Sequence, residues 1–548
     1  MRKKLFLLLA NIILLLGLAG YFWYSSGQTE AISCPVAGEK KLESVRATME
    51  LTKDNILTDL RFNQVSLVQD VASGTFYLPL DMEQEQWEDG ELTSGQSEVT
   101  LLFAEDFSRV DKQTAIAQGK AYEFLAVKGN TYRSYYLVFT GLPIISIETE
   151  ETPDTEVFGG TVRFWEADSK RDWSYSNILE ANIRGNTSRI YPKKGYKLTL
   201  KKQDSNGNVV EDKRSLFGLR EDDEYILNAM YTDSSKIRDA LCAHIWGSMG
   251  ASVEGYQDMY LGTRMTYVEV FFNGEYRGLY ALMEPVDSKQ LDLTKEQEKG
   301  TVEYSYKSST PQSIATDVWE RMEAWTAEMA GFELKGSHSQ ITKESWQPLF
   351  DYLNWRDSQE EEAFIEDAGN LIDPDNMMRM WVYLQAVMGL DNRGKNMYYV
   401  AKYEEDGYRM YLAPWDMDLT LGDTLQNPTD EYPWDVGPNP MVYRERINFE
   451  PGDRMIELDA AGARSRVYEI WEESRQGVLS SENLQTRIDE LSRQVMDSGA
   501  MARDEQRWPE GKHDTDYEKF KILTCYRMEY LDEFFYDDLE EYLNLGYS

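Results

Sequence analysis

The chain has 548 residues and carries 96 acidic against 57 basic side chains, a formal net charge of −39. So acidic a surface repels DNA and RNA, whose binding rests on cations displacing counterions, and nucleic acid is excluded as a partner. Aromatic residues at 13% are too many for a disordered acidic polymer, and three cysteines with three histidines leave little for a disulfide framework or a histidine-based site.

Arg2, Lys3 and Lys4 precede an uncharged run from Leu5 to Tyr24. As a helix this run spans about 30 Å, enough to cross a hydrocarbon core. Cations on its N-terminal side alone predict a cytoplasmic start and an exported remainder. Tyr21, Trp23 and Tyr24 would then form the outer interfacial belt. The run exceeds the usual apolar length of a cleaved signal peptide, and no small-x-small site follows closely, so an uncleaved anchor is the expectation. Residues 1–26 are therefore read as basic end and single-pass anchor in a cell membrane, and 27–43 as a polar tether. Cys34 lies too far from the apolar run to make a lipoprotein signal.

From 44 to 142, short alternating runs (FNQVSLV, GTFYLPL, SEVTLLF, YRSYYLVF) predict a small β-rich, sandwich-like module. Beyond it, TVRFWEA, SNILEANIRG and GYKLTLKK read as three strands. Asp233 is expected to cap a helix ending at Gly250, with His244 in its core face. TYVEVFF and YRGLYALM flank Asn273-Gly274, a hairpin signal. The stretch 300–372 is acidic, tryptophan-rich and helical in pattern, and reads as an insertion whose tryptophans pack. Pro374 opens a helix, two strands (NMYYVAKY, YRMYLAPW) follow, and the rest is helical. The unit 143–548 thus divides into 143–290, the insertion, and 373–548.

Four clusters carry chemistry. Arg184-Gly185-Asn186 and the following Lys193-Lys194-Gly195-Tyr196-Lys197 set cations beside a glycine turn, which suits a polyphosphate. Glu284-Pro285-Val286-Asp287 ends a strand. Asp391-Asn392-Arg393-Gly394-Lys395-Asn396 follows a buried-looking helix, and Trp415-Asp416-Met417-Asp418 ends a strand. An Asp with an Asn five residues on, then a hairpin ending in Asp, is a phosphotransferase layout: the first Asp orients the attacking hydroxyl and the later groups offer hard oxygens to Mg²⁺ or Mn²⁺. The order of elements is that of a protein kinase. In that frame Glu284 lies at the adenine hinge, a lysine (Lys194 or Lys197) meets the phosphates, and Asp239 is the best-placed acidic partner for it.

The segments RGNTSRIYPKKGYKL, GEYRGLYALMEPVD, DNRGKN and PWDMDLTLG resemble the CotH (spore coat protein H) kinase family, across about Ile144 to Gly422. The resemblance implies an α+β, two-lobed atypical kinase fold and ATP/Mg²⁺-dependent phosphorylation of serine on surface or coat proteins. By motif, Asp391 is similar to the catalytic Asp, Asn396 and Asp416 to the metal ligands, and Lys194 or Lys197 to the phosphate-binding lysine; Asp418 stands beside them. No G-x-G-x-x-G is present, so phosphate coverage must come from the segment Arg184–Arg189 or from elsewhere. The expected function is an outward-facing kinase acting on serine or threonine of exported or surface proteins. The alternative is a kinase-like surface scaffold without activity.

Overall fold

The computed structural model describes residues 32–168, 173–294, 302–309, 324–336, 338–404, 407–422, 444 and 446–539. The apolar run Leu5–Tyr24 lies outside them. Among the described residues no helix is long and apolar enough to cross a membrane.

The first unit is a sandwich of two sheets. One orders Ile32–Ser33, Gly90–Ser94, Leu60–Phe62 and Val65–Ser66; the other orders Val68–Asp70, Thr75–Pro79, Thr131–Thr140, Tyr122–Lys128 and Thr100–Phe103. Alternating side chains from both inner faces, among them Phe62, Leu92, Phe76, Phe103, Phe124 and Phe139, fill the space between them. The expected tether is shorter than 27–43. Ile32–Ser33 is already a sheet strand, and the helix Glu39–Thr48 buries Leu42 and Val45 against Leu125 and Tyr132.

The second unit begins with a closed barrel. Seven strands join in the order Ser174–Arg184, Phe158–Trp165, Ile144–Glu148, Met265–Phe272, Glu275–Met283, Glu224–Asn228 and Gly195–Gln203, and the last pairs back onto the first. Only the Ile144–Glu148 to Met265–Phe272 pairing is parallel. Period-2 side chains such as Ile145, Val162, Phe164, Leu198, Leu227, Val268 and Leu282 fill the interior, and closure removes the exposed edges an open sheet would carry. Asn273 and Gly274, both at positive φ, turn the hairpin as their sequence predicts.

A five-stranded antiparallel sheet and a helical layer complete the chain. The sheet orders Glu328–Met329, Phe332–Leu334, Tyr304–Ser308, Met397–Glu404 and Gly407–Pro414. Residues 304–308 and 328–334 are thus strands of the central sheet, so 300–372 is not a separable insertion. Two of its tryptophans do pack: Trp346 and Trp355 are buried and donate to the carbonyls of Thr326 and Phe364. The helices Arg238–Met249 and Pro374–Val387 lie at the centre, wrapped by Ala463–Gln476, Ser481–Met496, Ala500–Arg507 and Tyr517–Glu533. His244 is exposed, contrary to expectation, because it shares an i,i+4 stripe with Ser248 while Leu241, Ile245 and Met249 take the core face. All three cysteines are free.

One short helix ties the units together. On Ala500–Arg507, the Arg503 guanidinium forks onto Glu269 of the barrel at 2.8 and 2.9 Å and donates to Thr140 of the sandwich at 2.9 Å. The next residue, Asp504, accepts from Lys193 Nζ (2.6 Å) and the Leu279 N–H (2.9 Å). His513 Nε2 lies 3.2 Å from its other oxygen.

Candidate functional site

The site forms where the helix Pro374–Val387 delivers the chain to the central sheet. Asp373 caps the helix start, and Met388 in the left-handed region ends it. A tight turn, Leu390–Asn392, follows. Asn392 is fully buried and donates its amide to the carbonyls of Asn396 (3.2 Å) and Trp415 (2.8 Å), stitching the loop to the end of the Gly407–Pro414 strand. The Trp415 N–H returns a bond to the Asn396 carbonyl at 3.0 Å, and the Asn396 N–H donates to Ser308 at 3.3 Å. Asn396 and Asp416 both hold positive φ, of 55° and 61°. Asn and Asp tolerate this region best among residues with a Cβ, and its use at two such positions marks a backbone over-determined by its surroundings.

Asp391 is oriented by two donors: its Oδ2 accepts from Asn396 Nδ2 at 2.8 Å and from Lys395 Nζ at 2.9 Å. The three predicted groups Asp391, Asn396 and Asp416 are therefore brought together, with Asn392 as the unpredicted staple. Asp416 projects to solvent and Asp418 accepts from the Thr232 hydroxyl at 2.6 Å.

Asp239 also joins this group, which corrects its expected role. Its carboxylate accepts from the Met417 N–H (2.7 Å) and Asn228 Nδ2 (2.8 Å), and neither Lys194 nor Lys197 pairs with it. Burial first, then the charges of Asp416 and Asp233, push Asp239 up to about 7 against the pull of those two donors. Asp418 is pushed well above the carboxylate range by burial and by Asp416 and Asp239. Such a surplus of acidic oxygen suits a hard divalent cation. Among the described residues no three His, Cys, Asp or Glu side chains converge to hold a metal unaided. A set of Asp416, Asp418 and the Asn396 amide, completed by substrate oxygens, is the composition Mg²⁺ favours.

The cations fall differently from expectation. Lys194 is turned away, donating to the Arg189 carbonyl, and Lys197 pairs with Glu224 on the adjacent strand at 2.6 Å. Lys193, unpredicted, is the fully buried one, bound to Asp504. Arg184 does reach the site. It ends its strand at Gly185, whose φ of 101° turns the chain and whose Cβ would strike Ser188 Oγ. Its guanidinium lies 5.2 Å from the Trp415 ring centre. Lys307 lies 5.4 Å from the same ring and 5.9 Å from that of Tyr398. Burial, then the Arg184 charge, pushes the Lys307 ammonium down to about 8.

The Glu284 side chain is buried and engaged within the barrel lobe. Its carboxylate accepts from the Arg220 N–H (2.7 Å) and from Arg264 (3.5 Å), not from Arg277 across the hairpin. Its N–H donates to the Arg264 carbonyl and its carbonyl accepts from the Thr263 hydroxyl.

No curated protein matches the chain. A family model described as CotH kinase protein matches residues 181–527, more than half of the sequence and the whole of the site just described. The chain belongs to the CotH kinase protein family.

Proposed function

We propose that the chain is a membrane-anchored, outward-facing protein kinase that transfers the γ-phosphoryl group of ATP to serine or threonine of exported or surface proteins. The observation that carries this reading is the Asp391–Asn396 bond, locked by Asn392 to the strand end that presents Asp416. Asp391 is held with one carboxylate oxygen engaged by Lys395 and Asn396, which leaves Oδ1 to meet an acceptor hydroxyl. As the serine oxygen bonds to phosphorus and the bond to the ADP oxygen breaks, the hydroxyl proton passes to Asp391. A divalent ion held by Asp416, Asp418 and Asn396 would offset the negative charge of the phosphate oxygens. Membrane anchoring rests on the cations of Arg2, Lys3 and Lys4 before the apolar run.

ATP affinity and phosphate transfer to a serine-rich acceptor, measured on wild type, Asp391→Asn and Asp416→Asn, test the chemistry. Asp391→Asn should bind Mg·ATP normally and lose about 10²–10⁴-fold in transfer, the usual worth of a positioned base. Asp416→Asn should weaken metal-dependent binding itself. Wild type that binds Mg·ATP without transfer to any acceptor, itself included, would leave a kinase-like surface scaffold. Protease added to intact cells should remove the bulk of the chain; full protection would refute the outward orientation.

A further inference from the structure

We propose that Lys307 and Arg184, rather than Lys194 or Lys197, are the cations that hold the nucleotide's polyphosphate beside Asp416. This rests on the kinase reading and deepens it. Lys307 sits on Tyr304–Ser308, one residue before Ser308, which binds the Asn396 N–H through its carbonyl and the Met397 N–H through its hydroxyl. It is thus built into the same backbone stitch that fixes the catalytic loop. Arg184 arrives from the barrel, at the last position of the Ser174–Arg184 strand. The two cations come from different sheets and meet over one aromatic ring, Trp415, the residue before Asp416.

Two like charges gathered at one ring repel, and an anion bound between them relieves the repulsion. Among the described residues neither side chain has an ion-paired or hydrogen-bonded carboxylate. The acidic neighbours of Lys307 are Asp416 and Glu333, and Glu333 Oε1 is taken by Lys335 at 2.7 Å. Lys194 and Lys197, by contrast, are already engaged with a carbonyl and with Glu224. A ligand bearing several phosphate charges fits what remains: Arg184 offers a planar fork and Lys307 a point charge, on the side of the loop where Asp416 would gather a cation.

The test measures binding of ATP and of adenosine, each with Mg²⁺, to the full chain as wild type, Lys307→Met, Lys307→Arg and Arg184→Met. Methionine keeps an unbranched apolar stem and removes the charge. A charge-assisted contact to phosphate is worth a factor of about 10–100, so ATP affinity should fall by that much in Lys307→Met and in Arg184→Met. Adenosine affinity should stay within about 3-fold, and Lys307→Arg should recover part of the loss. Unchanged ATP affinity in both methionine variants, with melting temperatures equal to wild type, overturns the assignment and leaves the kinase reading standing. Equal losses for ATP and adenosine also overturn it, since they report a damaged fold. Wild type that binds no nucleotide with Mg²⁺ or Mn²⁺ refutes the kinase reading itself.

Discussion

Asp504→Asn removes one charge from a fully buried ionic contact. Lys193 and Asp504 are 0% and 1% exposed, and their side chains meet at 2.6 Å. Asparagine keeps the shape, and its oxygen can still accept from Leu279. The Lys193 ammonium, however, loses its counter-charge, and so does Lys236, whose Nζ lies 4.0 Å from the other oxygen. Breaking a buried pair on one side costs about 3–5 kcal/mol. The cost has a ceiling, because Lys193 can shed its proton. Its ordinary value of 10.5 is already pushed down to about 8 by burial, with Asp504 resisting the fall. Full deprotonation at about pH 7.5 costs about 4 kcal/mol against a free lysine, of which the wild type already bears about 3, so shedding the proton adds about 1 kcal/mol to the deficit. The sign with pH follows. A folded value below the unfolded one means the unfolded chain binds more protons, so this group adds stability as pH rises through that window. In the variant the folded value drops further and the window widens. The deficit should therefore grow as pH falls below about 8 and shrink towards pH 10, where Lys193 is neutral in both proteins. Urea unfolding at about pH 7.5 and at about pH 9.5 measures it. A deficit that does not grow between about pH 9.5 and about pH 7.5 would refute the reasoning.

Gly278→Ala should destabilise by about 2 kcal/mol or more, since its φ of 103° excludes a Cβ and that atom would overlap Asp504 Oδ1; an unchanged melting temperature would contradict this. Asn392→Ala unpins two buried carbonyls, of which that of Asn396 keeps the Trp415 N–H, so it should cost about 1–3 kcal/mol for the Trp415 carbonyl left unsatisfied and lower phosphate transfer together with stability. Glu269→Gln leaves Arg503 buried opposite a neutral amide and should cost about 3–5 kcal/mol, measured by the same urea unfolding. Because Arg503 also holds Thr140, this variant should expose the stretch joining sandwich and barrel to limited proteolysis.

Local patterns foretold local structure. Alternation located the three strands from Phe158 to Gln203, Asn273-Gly274 the hairpin, and Pro374 a helix start. The order Asp391, Asn396, Asp416 was legible because chain order and loop chemistry together define it. What escaped notice depends on contacts between distant segments. Lys307 belongs to a five-residue strand whose partner lies beyond Met397, so nothing nearby marks it as central. Lys193 and Lys194 are adjacent and alike in sequence; only Asp504, more than three hundred residues away, makes the first the buried one. Asn392 reads as an ordinary turn residue until the Trp415 carbonyl comes to it. Asp239 was placed on the right helix but given the wrong partner, because the chain brings Met417 and not a lysine to its carboxylate.

The barrel's last seam runs from Ile178 opposite Lys201 to Arg184 opposite Gly195. A ring of strands has no outer strand that can peel away alone, so the seam parts only if the whole cylinder springs open. The turn bearing Arg184 is the end stitch of that seam. Its stiffness is thus borrowed from a closed loop of hydrogen bonds running round the lobe, and a fault in any strand of the ring would be felt at the guanidinium as lost order.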